Sequence, residues 1–478
     1  MQQGTAFLAP AVANEVSAPL SISWQAIRLH DNILLYLSLA LLLLSTADAG
    51  MFGPLVKLCW LASFIALALV NIGGALAAYI SSLAIYSPLH FADGASLLQR
   101  PDNLAAAILF VVLLVMALKQ QEFLAKSSIY IAAFLIFTIL HGVFFSSTQF
   151  PLLVRSLAIP LVACALLTAV GLCERDLNTL QNGLAVLGSY MGLVSILEGL
   201  NVAGWVLPPW IGDPSLRPFD PFLEEWIGAG RSGGTLLQPE WNGLLLSLIF
   251  VMLIPRARRG GSILVNIAML LCAGGAFFTY TRGVWLGLAL SLLWFPGWCR
   301  SIRQANVRRI LLVCIAVVFV VAASGMASER LQDSNNIAYR FNLWGAGLRL
   351  VMAHPGLGVG LYNFGTAMGG AEQGFGSILP SVADVKNDKA VSHNTFLTVL
   401  VEFGIVGFSL YAMAFFKIVQ RARNNALRLW KRPGSAWVLA FVIVYLVNAQ
   451  VVSAFEGATN VTFYALLGVI AGARQETV

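Results

Sequence analysis

The chain has 478 residues, of which 58% are hydrophobic and only 11% charged, with a formal net charge of +7 and a mean hydropathy of +0.80. A soluble domain carries about a quarter charged residues, so this composition excludes a fully water-facing surface and makes lipid the main solvent. The surplus of Lys and Arg sits between apolar runs, where it orients spans in a bilayer, and that placement argues against nucleic acid as the partner.

In chain order, the first 27 residues lack a basic n-region and a strong apolar core, so they read as a polar tail. Apolar runs then recur from Asp31 to Ala473, and about 20 such residues suffice to cross a bilayer core. They lie near 31–49, 54–87, 103–118, 127–147, 151–172 and 179–199. More follow near 238–255, 262–280, 283–299, 309–325, 395–419, 435–454 and 458–473. The 54–87 run suits one steep helix or two, with Gly73 and Gly74 as the break. The expectation is an all-α polytopic membrane protein, one integral membrane domain over 1–478, with about 12 (12 to 14) transmembrane helices.

Orientation follows from charge. Arg256, Arg258 and Arg259 form one basic cluster, and Arg300, Arg303, Arg308 and Arg309 a second. A third holds Lys417, Arg421, Arg423, Arg428, Lys431 and Arg432. Short loops rich in Lys and Arg stay in the cytoplasm. The intervening runs let all three clusters share that side, together with Lys119, Lys126 and the C-terminal Arg474. Two long stretches, about 200–237 and about 326–394, then face outwards. The second contains an expected amphipathic helix near 337–353, ending at His354-Pro355 because the residue before proline disfavours helix. Its continuation PGLGVGLYNFGTAMGG reads as turns; no strand precedes GLGVG, as a phosphate-cradling loop would require.

The outward side holds the chemistry-bearing residues. Arg282 lies in TYTRGVWLG, in a link so short that it is held at the interface, where it can snorkel to headgroups or point inwards. Arg340 shares a helix face with Trp344 and Gly347. Arg231, in GAGRSGG, fits an anion-binding or a surface role equally. Arginine suits all three positions if the ligand is a diphosphate, because its planar fork binds phosphate oxygens in pairs and keeps its charge. His393 stands where the chain re-enters the membrane, with Ser392 as a helix cap; it is either a capping histidine or a neutral base. The other histidines, His30, His90, His141 and His354, fall at no metal-ligand spacing from it. No DxD motif occurs on either outer loop; Glu240, Glu402 and Glu456 lie near outer helix ends, where they fit a structural role better than orientation of a substrate hydroxyl, and Asp48 and Glu198 are isolated acids at membrane ends. The six cysteines form no CxxC motif and read as small hydrophobes. No metal site and no cofactor is expected.

The segments YRFNLWGAGLRLVMAHPGLGVGLYNF and SHNTFLTVLVEFGIVG resemble the O-antigen ligase and Wzy polymerase superfamily, as do GGTLLQPEWNGLLLS and TYTRGVWLG upstream. The resemblance covers about 230–410. It implies a GT-C-like architecture with two extended periplasmic loops, the larger partly helical. It also implies a multi-pass protein of the Gram-negative inner membrane with a periplasmic active site and a cytoplasmic C-terminus. The implied partners are an undecaprenyl-diphosphate-linked O-antigen donor, a lipid A–core acceptor and the bilayer; contact with the O-antigen polymerisation machinery is a further partner it allows. The implied reaction is metal-independent, inverting transfer, with His393 as base and Arg282 and Arg340 on the diphosphate. Arg231, Asn394, Gln238 and Asn242 are the implied substrate-binding positions. Glu240-Trp241 departs from the smaller or polar residues common there, so neither takes a role. Within the superfamily a polymerase would use a second lipid-linked glycan as acceptor, and a protein O-oligosaccharyltransferase a Ser or Thr. Outside it, a lipid-linked glycan transporter would place charges and broken helices at mid-membrane in repeated halves. No clear repeat is present, and the charges gather at one face.

Overall fold

The computed structural model describes residues 24–46, 52–86, 101–119, 126–145, 157–200, 232–236, 238–260, 262–293, 334–361, 363–365, 367, 393–450 and 458–474. Arg231, Ser392, the polar N-terminal tail, the 309–325 run and most of both long loops lie outside these residues.

The described residues are all-helical. Helices α1 (Trp24–Thr46), α2 (Phe52–Val70), α3 (Ile72–Tyr86), α4 (Pro101–Lys119), α5 (Lys126–Phe145), α6 (Ile159–Val170) and α7 (Glu174–Gly199) form the first half. A 3-10 turn at Gly234–Leu236 leads into α8 (Pro239–Arg258), α9 (Ile263–Phe278) and α10 (Arg282–Leu293). Helices α11 (Ser334–Ala353), α12 (Thr395–Ala449) and α13 (Ala458–Gly472) complete the set. Among the described residues four segments are long and apolar enough to cross a membrane: Asp102–Lys119, Glu174–Gly199, Pro239–Arg258 and Thr395–Trp430. Shorter apolar helices surround them. Phe144, Ile263 and Leu69 are 82%, 78% and 74% exposed. Such outward apolar faces are costly in water and ordinary in lipid.

The 54–87 run is indeed two helices, but the break falls at Asn71, just before the expected glycines. The Asn71 Oδ1 accepts from the Gly74 amide at 2.8 Å, opening α3, and its Nδ2 donates to Asp31 at 3.0 Å. Asp31 is almost fully buried and takes two charge-assisted bonds from Arg175, Nε at 2.5 Å and Nη2 at 2.6 Å. A buried carboxylate is tolerable when so paired, and this one ties α1, α7 and the α2–α3 junction. Gly73 serves packing, since a Cβ there would run into the Asp176 carbonyl.

The 55 helical residues of α12 would span about 80 Å if straight. Instead the rings of Phe415 and Tyr445 stack 6.4 Å apart, and Arg423 Nε donates to Ser435 Oγ at 3.0 Å. The run folds back near Pro433 and Gly434 into two antiparallel arms. Pro433 removes a backbone donor there, and Gly434 sits too close to the Ala426 carbonyl for a side chain. The basic cluster gathers at this closed end. At the open end, Asn394 Nδ2 donates to Gln450 Oε1 at 3.0 Å.

The first arm of α12 is also interrupted, at Gly404, whose φ is +64°. Its freed backbone groups bond to the turn after α11. Val359 and Gly360 donate to the carbonyls of Val401 and Glu402, both at 3.0 Å. In return Ile405 and Val406 donate to Pro355 and Gly356 at 2.8 and 3.3 Å. The glycines of PGLGVG therefore form turns, as expected, and those turns complete a broken helix. His141 of α5 donates from Nε2 to the Leu357 carbonyl at 2.7 Å, with its ring stacked on Phe145 at 4.6 Å.

A Cβ at Gly404 would meet the Gly356 carbonyl, in a backbone region that L residues occupy at a cost of about 1–3 kcal/mol. Gly404→Ala is expected to lower the thermal unfolding midpoint of the purified protein. Gly345→Ala, where nothing lies within 4 Å, should leave it unchanged or raise it slightly. Equal midpoints for the two variants would contradict the stitched break.

Candidate functional site

Helix α11 starts three residues earlier than expected, at Ser334, and ends at Ala353 before His354-Pro355 as the sequence requires. Its buried Leu343 and Leu350 form a small core with Phe364, Leu397 and Val401. Gly347 lies on the same face, 3.0 Å from Leu397 Cδ2 as measured from the position of an added Cβ. That packing lays α11 across the first two turns of α12. Arg340, on the predicted face with Trp344 and Gly347, is thereby brought to α8, where its Nη2 lies 3.5 Å from Glu240 Oε1. Both side chains are mostly buried, with 22% and 17% of their surface exposed. Glu240 occupies the first turn of α8, where the helix dipole favours negative charge.

His393 joins this pair. Asn394 caps α12, its Oδ1 accepting from the amides of Phe396 and Leu397, both at 3.1 Å. The cap is therefore Asn394 and not Ser392, and His393 sits just outside the helix with φ +48°. Burial pushes the His393 imidazole below its ordinary pKa of 6.5; Glu240 pulls it up and Arg340 pushes it further down. The ring is held neutral near pH 7, in the form that accepts a proton. A side chain in a left-handed backbone conformation is uncommon, and such strain gathers at functional sites.

Among the described non-glycine residues only Tyr280 shares that conformation, with φ +49°. It stands two residues before Arg282. The turn is fixed by aromatic contacts: Phe277 stacks on Trp285 at 5.3 Å, and Tyr280 meets Phe278 and Trp285 edge-on. Arg282 is the first residue of α10, and its side chain is exposed, not turned inwards. The same end of α10 meets the start of α8, because Gly243 admits Val284 and Thr279 closely. Val284 makes that contact, and Arg282, two positions earlier in the same turn, is exposed.

The remaining positions play supporting parts in the described structure. Gln238 is the extended residue that opens α8. Asn242 is fully buried, and its Nδ2 donates to Ser195 Oγ at 2.7 Å, against Gly234. Glu198, which looked like an isolated acid, accepts from Ser232 Oγ and the Gly234 amide, both at 2.8 Å, anchoring the end of the first long loop on α7. Among the described residues no three His, Cys, Asp or Glu side chains converge as a metal-holding set. The sequence does not reveal the pairing of Glu240 with Arg340. An acid in a helix's first turn has an ordinary electrostatic explanation, and no local pattern reveals a partner 100 residues away.

Two comparisons bear on identity. Residues 267–412 match the Wzy_C family model, described as O-Antigen ligase. The match begins inside α9 and runs through Arg282, Arg340 and His393 to the first arm of α12, leaving Glu240 outside. Comparison with curated proteins gives no match.

The opposed effects of Glu240 and Arg340 set a test of the grouping. On ring-labelled protein followed by NMR, His393 should titrate below 6.5. Glu240→Gln should lower the midpoint further and Arg340→Gln should raise it. Because the folded protein binds this proton less readily than the unfolded chain, the linked stability falls as pH drops below 6.5 and levels off under the folded midpoint. Movement of the midpoint in the same direction in both variants would contradict the arrangement.

Proposed function

We propose that the chain transfers a glycan from undecaprenyl diphosphate to a sugar hydroxyl of lipid A–core oligosaccharide, a reading supported by the match of residues 267–412 to the O-antigen ligase family model. The observation that carries this reading is a partly buried His393, its imidazole held below its ordinary pKa within electrostatic reach of the Arg340–Glu240 pair, at one end of apolar helices. A sugar hydroxyl is a poor nucleophile and needs a positioned base. A diphosphate leaving group needs fixed positive charge, which arginine supplies without a cation.

In the proposed reaction the acceptor hydroxyl loses its proton to His393 as its oxygen attacks the anomeric carbon. The bond from that carbon to the diphosphate oxygen breaks, and its electron pair leaves with undecaprenyl diphosphate. In-line attack inverts the configuration. Arg340 and Arg282 bind the departing diphosphate, with Arg231 as a third contributor and Gln238, Asn242 and Asn394 about the substrates. In the structure Asn242 and Asn394 already hold helix ends in place, so their contribution is to position others. Glu240 is added here: at 3.5 Å it keeps Arg340 oriented through a contact loose enough for a diphosphate to displace. The site faces the periplasm in a GT-C-like fold of the inner membrane. The basic end of α12, Arg474 and the C-terminus then face the cytoplasm.

Purified protein given lipid-linked glycan and lipid A–core, with EDTA present, should modify the core. His393→Ala should reduce the rate by about a hundredfold to ten-thousandfold. Arg340→Lys should also be impaired, because it keeps the charge and loses the fork. Lengthened donor glycan with unmodified core would mean a polymerase instead. Folded, donor-binding protein that modifies neither acceptor would count against glycan transfer and favour transport.

A further inference from the structure

At the end of the helices remote from His393, a cavity of about 820 Å³ opens between α5, α6, the first arm of α12 and the end of α13. Lys417 lies on the arm of α12 beyond the break at Gly404, 24 positions after His393. Four cationic side chains line the cavity, those of Lys417, Arg421, Arg428 and Arg474, and no lining residue is an Asp or Glu.

Neutral groups contact three of these cations. Arg428 Nη2 donates to Asn425 Oδ1 at 2.6 Å, and Asn425 Nδ2 donates to the carbonyls of Ile470 and Ala473 at 3.0 and 2.7 Å. Arg474 Nη2 donates to the Ala169 carbonyl at 3.0 Å, and Lys417 Nζ lies 5.8 Å from the centre of the Tyr130 ring. Orientation of the spans alone would require basic residues on this side, but not their convergence on one cavity from separate segments. Nor would it require the neutral hydrogen-bonding residues Thr168, Gln420 and Asn424 that share the lining.

The rim favours a lipid over a dissolved anion. Met413, one turn from Lys417 on the same face, is exposed, as is Ile129 beside Tyr130. A bound molecule would therefore meet cations at its head and apolar side chains along its flank. Basic pockets between membrane helices at this depth suit phosphate headgroups, with each nearby Lys or Arg contributing about 1 kcal/mol of attraction to an anionic surface, or about fivefold in affinity.

We propose that the cavity lined by Lys417, Arg421, Arg428 and Arg474 binds the phosphate headgroup of an anionic phospholipid. The site is independent of the glycan-transfer reading and lies outside the reacting groups.

The full chain, purified in detergent, would be examined by native mass spectrometry with phosphatidylglycerol or phosphatidylcholine. The wild type should retain phosphatidylglycerol preferentially. The double variant Arg421→Gln, Arg428→Gln should bind it about tenfold to thirtyfold more weakly. Arg423→Gln, at an exposed arginine of the same basic segment that bonds Ser435, should match the wild type. If the double variant is not monodisperse, Lys417→Gln alone should weaken retention by about threefold or more. No preference for the anionic lipid, or equal losses in the cavity and Arg423 variants, would overturn the proposal. Inorganic phosphate that raises the thermal midpoint as far as phosphatidylglycerol does would identify a free-anion site and overturn the lipid assignment.

Discussion

The main-chain bonds between residues 355–360 and the break at Gly404 are the constraint on which the candidate site depends. A helix in lipid must satisfy its own backbone groups, because no water is present to do so. Helix α12 breaks that rule at Gly404 and is repaired by the turn after α11: the carbonyls of Val401 and Glu402 and the amides of Ile405 and Val406 all find partners there. The repair fixes α11 against the start of α12, with Gly347, Leu343 and Leu350 closing the contact. That contact brings Arg340 to Glu240, and the cap at Asn394 puts His393 beside them. His141 and its aromatic neighbours hold the turn from behind. Each feature of the site follows from a packing requirement one step earlier in the chain.

The electrostatics follow the same order. Burial alone would leave His393 a weak base, and Arg340 weakens it further; the Glu240 carboxylate opposes both. A ring that is neutral at ordinary pH but close to a carboxylate can receive a proton and keep a partner for the resulting charge. Arg282 begins a separate element, α10, just after an aromatic turn, and its side chain is exposed.

Much of this was legible in the sequence, for identifiable reasons. Apolar runs report helices directly, because lipid leaves no alternative way to satisfy the backbone. The end of α11 was readable from His354-Pro355, and the turns after it from their glycines. Errors arose where a local rule had two solutions. Gly73 and Gly74 suggested a break that Asn71 makes, because an asparagine can cap a helix while glycines serve close packing. Ser392 suited a cap that Asn394 forms. Glu240 was given no role, since its partner Arg340 is remote in sequence and meets it only after the α11–α12 contact has formed. The stitch at Gly404 was equally hidden: a lone glycine in EFGIVG reads as a tolerated helical residue until a second segment is seen bonding to it.

The most direct test of the account is a structure of the full chain in a lipid nanodisc with an undecaprenyl-diphosphate-linked glycan bound. The diphosphate is expected within hydrogen-bonding distance of the Arg340 and Arg282 guanidinium groups, with Glu240 displaced from Arg340. The His393 imidazole would face the side of the anomeric carbon opposite the leaving oxygen. A donor seated at the basic end of α12, or a diphosphate that leaves the Arg340–Glu240 pair intact and His393 remote from the sugar, would contradict it.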